Sequence, residues 1–405
     1  MPGAPPDGEP VPADGKLTAA AFGSLPRAPL GIYVHVPFCR TRCGYCDFNT
    51  YTAAELGGGS RAGYAGHAIA EIRFARKVLG AAAPLASTVY FGGGTPTLLP
   101  PSDLAAILAA VGAEFGLAPG AEVTTEANPE SVDEAALAGL RAAGFTRISL
   151  GMQSAAGHVL AVLDREHSPG RAERCVRWAR AAGFAHVSLD LIYGTPGESA
   201  ADWELSLRRA IGAGPDHVSA YALIVEAGTR LAARIRRGEL VPPDDDEMAD
   251  RYLAADELLA AAGLSWYEVS NWAAAPESAS RHNLLYWTGA NWWGVGPGAH
   301  SHVGGVRWWN VRHPAAYARR IAAGTSPGQG REILTDAERA TERIMLATRL
   351  AGGCPVSELS PAGRRAAATA VADGLADPAA LRSGRLALTR SGRLLADAVI
   401  RAVTD

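Results

Sequence analysis

Cysteine is scarce in this chain. Five in 405 residues cannot supply a disulfide framework. Net charge is also nearly absent, at −3, so nothing steers the chain towards nucleic acid or acidic lipid. No uninterrupted apolar run is long enough to span a bilayer. The first residues lack a basic start and an apolar core, which excludes a secretory signal. These absences predict a cytoplasmic protein without a transmembrane segment, meeting membranes only through a membrane-protein client. Residues 1–28, rich in Pro, Gly, Ala and Asp, read as a disordered tail. The chain as a whole is 48% hydrophobic and 20% charged, ordinary for a soluble globular enzyme of two or three domains.

From about residue 31, short β-branched runs alternate with Ala/Leu/Arg helical stretches. Strands are predicted at 31–37, 87–92, 121–126, 146–151, 186–192 and 217–224. Helices are predicted near 62–79, 102–115, 132–143, 171–182 and 200–212. Ser102 with Asp103, and Ser131, read as helix starts, and Gly144 and Gly183 as stops. This alternation implies right-handed βαβ units and a parallel α/β sheet. Six units are too few for a closed eightfold barrel, so the expectation is a partial, open (β/α)6 barrel over 29–240. Functional groups should then stand at the C-terminal strand ends. Residues 241–330 read as an acidic linker followed by an aromatic-rich segment holding seven of the nine tryptophans. Residues 331–405 read as a small winged-helix-like domain, with a hairpin at Gly384–Gly392.

Three of the cysteines, Cys39, Cys43 and Cys46, fall within eight residues just after the first predicted strand. Closely spaced thiolates are soft ligands for iron–sulfur clusters. Three ligands for a four-iron cluster leave one iron open to chelate an amine and a carboxylate. Cys175 and Cys354 are isolated and read as buried structural thiols. A structural zinc site is the alternative, with His35 as fourth ligand, but no second cysteine pair follows.

The C-x₃-C-x₂-C run resembles the signature of the radical S-adenosylmethionine (SAM) superfamily. The resemblance implies a [4Fe–4S] cluster that passes one electron to bound SAM and breaks its sulfonium C–S bond. Gly92-Gly93-Gly94-Thr95-Pro96 follows the next strand, and glycines let backbone approach a ligand closely. In the superfamily this loop meets the methionine end of SAM. Glu126, Gln153, Arg165 and Asp190, in order and near strand ends, resemble further SAM-contacting positions, as do Tyr33 and Ala222 less specifically.

Over roughly 31–350 the motifs resemble one branch, which holds the oxygen-independent coproporphyrinogen III oxidase and a heme chaperone. The oxidase carries a further cysteine two residues past the third; here that residue is Phe48. The segment His282-Asn283-Leu284-Leu285-Tyr286-Trp287 matches the HNxxYW motif that the chaperones associate with heme. Imidazole is a suitable axial ligand, and Tyr and Trp supply flat apolar surface. His300 and His302 are rival ligands, and the motif could instead be aromatic packing over the barrel mouth. The branch therefore implies a chaperone that binds heme, one cluster and SAM, draws on an electron donor, and passes heme to an acceptor apoprotein. Oxidative decarboxylation of coproporphyrinogen III is the enzymatic alternative, and a binding module with an idle cluster site is a third.

Overall fold

The six predicted strands all form, as β1 Leu30–Val36, β2 Ala86–Gly93, β3 Leu117–Ala127, β4 Arg147–Gln153, β5 His186–Tyr193 and β6 His217–Ala222. They belong to a computed structural model that describes residues 8–56, 61–165 and 168–405. Each strand pairs in parallel with the next. The helices Tyr64–Leu79, Pro101–Phe115, Glu134–Ala142, Arg171–Ala181 and Ala200–Gly212 make the crossovers. Gly144 and Gly183 end two of them at φ +106° and +86°, a left-handed conformation that suits glycine. Ser131 is not a helix cap: it closes a short 3₁₀ turn, and the Asp133 carboxylate caps the next helix by accepting from Ala136 N at 2.8 Å.

Strand alternation decides what the barrel is for. Ile32, Val34, Val89, Phe91, Ile148, Leu150, Leu189, Leu191, Val218 and Ala220 are buried in one core together with the helix residues Ile72, Ile107 and Leu137. The alternate positions, Tyr33, Tyr90, Thr124, Glu126, Arg147, Ser149, Ser188, Asp190, His217 and Ser219, line an interior cavity. Parallel strands are usually apolar on both faces. Here one face is polar, so the barrel encloses a site rather than a packed core.

The sheet runs on past both ends of the six, in the order β12-β11-β10-β9-β1-β2-β3-β4-β5-β6-β8-β7. β9 (Asn291–Val295) lies parallel to β1; β10 (His300–Val303), β11 (Val306–Asn310) and β12 (Gly328–Ile333) follow antiparallel. β7 (Ser265–Glu268) and β8 (Asn271–Ala273) extend the other edge. Gly304 and Gly305, at φ +56° and +87°, make the two-residue turn between β10 and β11. After the helix Asp245–Ala261, the aromatic-rich part of 241–330 is thus built into the sheet. Its tryptophans 272, 293, 308 and 309 are buried, and no tryptophan lines the cavity among the described residues. They pack the sheet rather than offering a face to a planar ligand.

Two other expectations change. Residues 8–28, assigned to a disordered tail, are built into the fold. Glu9 exchanges backbone hydrogen bonds with Arg331, each 2.8 Å, and Leu17, Ala21 and Leu25 are buried in the main core. Ala21 sits in the short helix Ala19–Ser24, with Leu17 before it and Leu25 after it, apolar anchors that the Pro/Gly-rich composition hides. Residues 1–7 lie outside the described residues. The Gly384–Gly392 hairpin does not form. Arg385–Leu386 pairs with Cys354–Pro355 instead, and Thr389 caps a helical turn at Arg390–Leu394. The C-terminal residues have a separate core of Ile344, Leu359, Ala367, Leu386, Val399 and Val403. This unit docks on the Asp245–Ala261 helix through Arg390 and Arg393, 3.1 and 3.0 Å from Asp256.

Candidate functional site: a cavity between the cysteine loop and an aromatic floor

The cysteines occupy the loop that follows β1, at the C-terminal end of the strands. Backbone bonds pin both ends of this loop: Cys39 N donates to Tyr51 O at 3.0 Å, and Tyr51 N to Pro37 O at 2.7 Å. Its centre is held at Gly44, whose N–H donates to Leu163 O (3.0 Å) and whose carbonyl accepts from Leu231 N (2.8 Å). Cys39, Cys43 and Cys46 are free, partly buried and line the cavity mouth. Burial and the neighbouring Cys46 and Cys43 push the Cys39 thiol up to about 11, and burial raises Cys46 as well. Burial therefore favours the neutral form of Cys39 and Cys46; a bound cation would reverse that. Cys175 and Cys354 are fully buried elsewhere.

The glycine loop packs directly on the cysteine loop. Gly94 N donates to Val36 O and Thr95 N to Phe38 O, both 2.8 Å. A Cβ on Gly94 would lie 2.5 Å from Phe38 O, and one on Gly93 would lie 2.6 Å from the His35 ring. Gly93 also has φ +109°, so both conformation and space demand glycine there. Gly92 is not itself on the cavity wall, but a Cβ there would lie 2.8 Å from Tyr90 and 3.1 Å from Glu126, which are. His35 is fully engaged. Its Nε2 donates to Asn49 O at 3.0 Å, so Nδ1 accepts from the Tyr33 hydroxyl at 2.9 Å. Burial lowers its pKa to about 4, which keeps it neutral. Neither ring nitrogen is left for a metal.

Glu126, at the end of β3, accepts from Tyr90 Oη at 2.8 Å and from Gly93 N at 3.1 Å. Burial pushes its carboxyl up to about 7; those two bonds oppose the shift, and nearby Asp190 adds to it. Asp190 accepts from Ser149 Oγ at 2.9 Å, and burial raises it too. Gln153 is buried at φ +65°, a left-handed conformation rare outside glycine and a form of strain concentrated at functional sites. Arg165 reaches across the mouth, donating to Gly151 O at 3.0 Å, with Nη1 3.5 Å from Cys43 Sγ. A side chain on Gly151 would collide with both Arg165 and Gln153, at 2.6 and 2.7 Å. Ala222, ending β6, completes this ring on the cavity wall.

The HNxxYW segment forms the helix Arg281–Trp287 at the opposite end, beneath the N-terminal ends of the strands. It closes the floor rather than the mouth. Glu122 fixes it there by accepting from the backbone N–H of Arg281 and His282 at 3.1 and 2.9 Å. His282 is 1% exposed; its Nδ1 pairs with Thr88 Oγ1 (2.7 Å) and its Nε2 with Tyr286 Oη (2.9 Å). Burial lowers its pKa to about 3, and its ring stacks on Tyr90 at 5.1 Å. Asn283 donates to Glu268 at 2.9 Å. His282, Asn283 and Tyr286 line the cavity; Trp287 does not. His302 is also engaged at both nitrogens, by Ala290 O and Gly305 N, whereas His300 is exposed and stacked on Trp309.

Between mouth and floor the cavity holds about 1980 Å³. That is roughly twice the upper end of ordinary ligand pockets, about 1,000 Å³, and leaves room for two sizeable ligands. Its wall includes residues that motif reading missed: Tyr90, Arg147, Ser149, Ser188, His217 and Ser219. Their signal was present, as polar residues at alternate positions inside strands that otherwise read as buried. Among the described residues, no three His, Cys, Asp or Glu side chains gather on one ion centre. A cubane cluster takes each thiolate on a different iron, so it asks for thiols around its corners rather than at a point.

A parallel barrel with a polar interior, free thiols at its mouth and a glycine loop beside them is the architecture of radical SAM proteins. The Radical SAM superfamily model matches residues 33–210. The chain is 55% identical over 377 residues to the heme chaperone HemW of Mycobacterium tuberculosis, covering 93% of this chain and 95% of that protein. It is 36% identical over 339 residues to HemW of Synechocystis sp., covering 82% and 80%. Its fold matches the Escherichia coli coproporphyrinogen III oxidase HemN with TM-score 0.80 over 95% of this chain and 92% of that one; at 21% identity the likeness is one of fold alone. The chain belongs to the radical SAM superfamily and, within it, to the HemW family. The superfamily implies a [4Fe–4S] cluster and SAM. No helix among the described residues is long and apolar enough to cross a membrane.

Proposed function

We propose that this chain is a cytoplasmic heme carrier: it binds heme in the barrel, holds a [4Fe–4S] cluster and SAM at the mouth, and passes heme to an acceptor apoprotein. The observation that carries this reading is the cavity of about 1980 Å³, open at the cysteine loop and floored by the HNxxYW helix, in a chain so close to named heme chaperones. Cys39, Cys43 and Cys46 hold the cluster. Gly92, Gly93, Thr95, Glu126, Gln153, Arg165, Asp190, Tyr33 and Ala222 form the SAM subsite. When bound, the cluster supplies the electron that SAM cleavage requires, from a donor protein. His282, Asn283 and Tyr286 serve heme from the floor. Trp287, off the cavity wall, supports them by packing. Because both His282 nitrogens are engaged, ligation of heme iron by His282 requires Tyr286 or Thr88 to move aside.

The test is anaerobic purification, reconstitution with iron and sulfide, and titration with hemin. A Soret band that saturates at one equivalent, and weakens in His282→Ala, is the expected result. A His282→Ala titration identical to wild type would remove heme from the floor motif. The enzymatic reading draws on the HemN-like fold and is opposed by Phe48, exposed at the mouth where the oxidase carries a cysteine. Turnover of coproporphyrinogen III to protoporphyrinogen by the reconstituted protein would overturn the carrier reading.

A further inference from the structure

Arg147 opens β4 at the level of the cavity floor, in register with Thr124 of β3 and His186 of β5. Its side chain is 1% exposed and lines the cavity. Nη1 donates to Ser278 O at 2.6 Å, but Nη2 is buried with no hydrogen-bond partner among the described residues. Other buried guanidinium nitrogens without a hydrogen-bond partner among the described residues, on Arg42, Arg251, Arg307, Arg331 and Arg393, are single Nε atoms of side chains that pair with a carboxylate, in Arg251 and Arg307 through the Nε itself. Arg147 differs in that the free nitrogen is terminal. The nearby carboxylates form no hydrogen bond with it: Glu122 caps the Arg281–Trp287 helix, Glu268 accepts from Asn271 and Asn283, and Asp190, one strand over, feels the Arg147 charge but is bonded to Ser149.

A buried cation with one free face is costly unless something anionic meets it. The guanidinium fork matches a carboxylate in shape as well as charge. Arg147 is also deep. Gly151, whose carbonyl holds Arg165 at the mouth, lies four residues further along β4, roughly 13 Å at ~3.3 Å per residue. A ligand with its carboxylate on Arg147 therefore reaches from the floor towards the cysteine loop. Resting on the heme-carrier reading above, we infer that Arg147 is the floor anchor for a carboxylate side chain of the bound tetrapyrrole, a heme propionate, which fixes the macrocycle's orientation in the barrel.

The probes are ferric hemin and its dimethyl ester, which keeps the ring and iron but loses both carboxylates, titrated into the reconstituted full chain by Soret absorbance. Wild type is expected to bind hemin at least about tenfold more tightly than the ester, the scale of a charge-assisted hydrogen bond. Arg147→Leu is expected to weaken hemin by about tenfold to a hundredfold and to leave the ester unchanged. Arg147→Lys keeps the charge but not the fork, so its hemin affinity should fall between the two; it also serves if Arg147→Leu does not fold, which circular dichroism reports. Equal wild-type affinity for hemin and ester, or parallel loss of both in the variants, overturns the anchor while leaving heme binding standing. If SAM binding drops in Arg147→Leu and hemin binding does not, the carboxylate is that of SAM and the inference is wrong. If wild type binds neither porphyrin, the heme reading falls and this inference with it.

Discussion

In the SAM subsite proposed above, Glu126 would bring a pH dependence that can be worked out in advance. Its carboxyl accepts two hydrogen bonds, from Tyr90 Oη and Gly93 N, yet burial still pushes it up to about 7. SAM carries cationic groups, and a cation prefers the ionised carboxylate. At pH 8 most of Glu126 is ready to receive one; at pH 6 about nine molecules in ten are protonated and must lose the proton first. The apparent affinity for SAM should thus be flat above pH 7 and fall by up to about tenfold per unit below it. Glu126→Gln keeps the shape but removes the charge. Truncating one side of a buried ion pair costs about 2–5 kcal/mol, roughly thirtyfold to several-thousandfold in affinity. The variant should bind SAM that much more weakly and show no dependence on pH between 6 and 8. Calorimetry with the anaerobic, reconstituted protein measures both quantities. Wild-type affinity that is constant from pH 6 to 8, or wild-type affinity in Glu126→Gln, would refute the placement of a SAM cation at this carboxylate.

Two further predictions concern the cluster and the fold. Cys43→Ser should lose the iron–sulfur absorbance after reconstitution while Cys175→Ser keeps it, because Cys43 lines the mouth and Cys175 is sealed in the core; the reverse outcome would reassign the ligands. Glu71, wholly buried between the barrel and β9–β11, accepts from Gly296 N, Asn310 Nδ2 and Tyr317 Oη at 2.7, 2.8 and 2.6 Å, and burial pushes it up to about 7 from 4.5. The folded state therefore holds this proton longer than the unfolded chain. The associated stability is full below pH 4.5 and lost as pH rises to about 7, by about 3 kcal/mol. Urea melts at pH 5 and pH 8 should show wild type declining relative to Glu71→Gln; an unchanged difference between the two proteins would mean that the carboxyl ionises as it does in water.

Much of the barrel was legible because its signal is local. The β-branched runs are short, Gly144 and Gly183 sit where left-handed residues must, and each helix fills its crossover. What could not be read was the part of the sheet that depends on distant partners. β9 lies beside β1, some 260 positions earlier in the chain, and β12 takes its extra partner from residue 9. Composition pointed the wrong way twice. Pro and Gly around residues 8–28 masked three buried apolar positions in and beside a short helix, and a dense run of tryptophans suggested a ligand surface where it fills a sheet.

The site divides along the same line. The mouth was readable since its demands are made by neighbours in sequence: three thiols on one loop, and glycines where Phe38 and His35 leave no room for a Cβ. The floor was not, because a motif states which residues occur and not which end of a barrel they close. Glu122 decides that, by drawing the first N–H groups of the Arg281–Trp287 helix under the start of β3. The consequence is geometric. The cysteine loop and the HNxxYW helix face one another across a single cavity, separated by the length of the strands. On the heme-carrier reading proposed above, SAM beside the cysteine loop and a ligand on the floor would therefore share that cavity. The barrel's polar inner face, unusual for parallel strands, is what lets both ends of the strands line it.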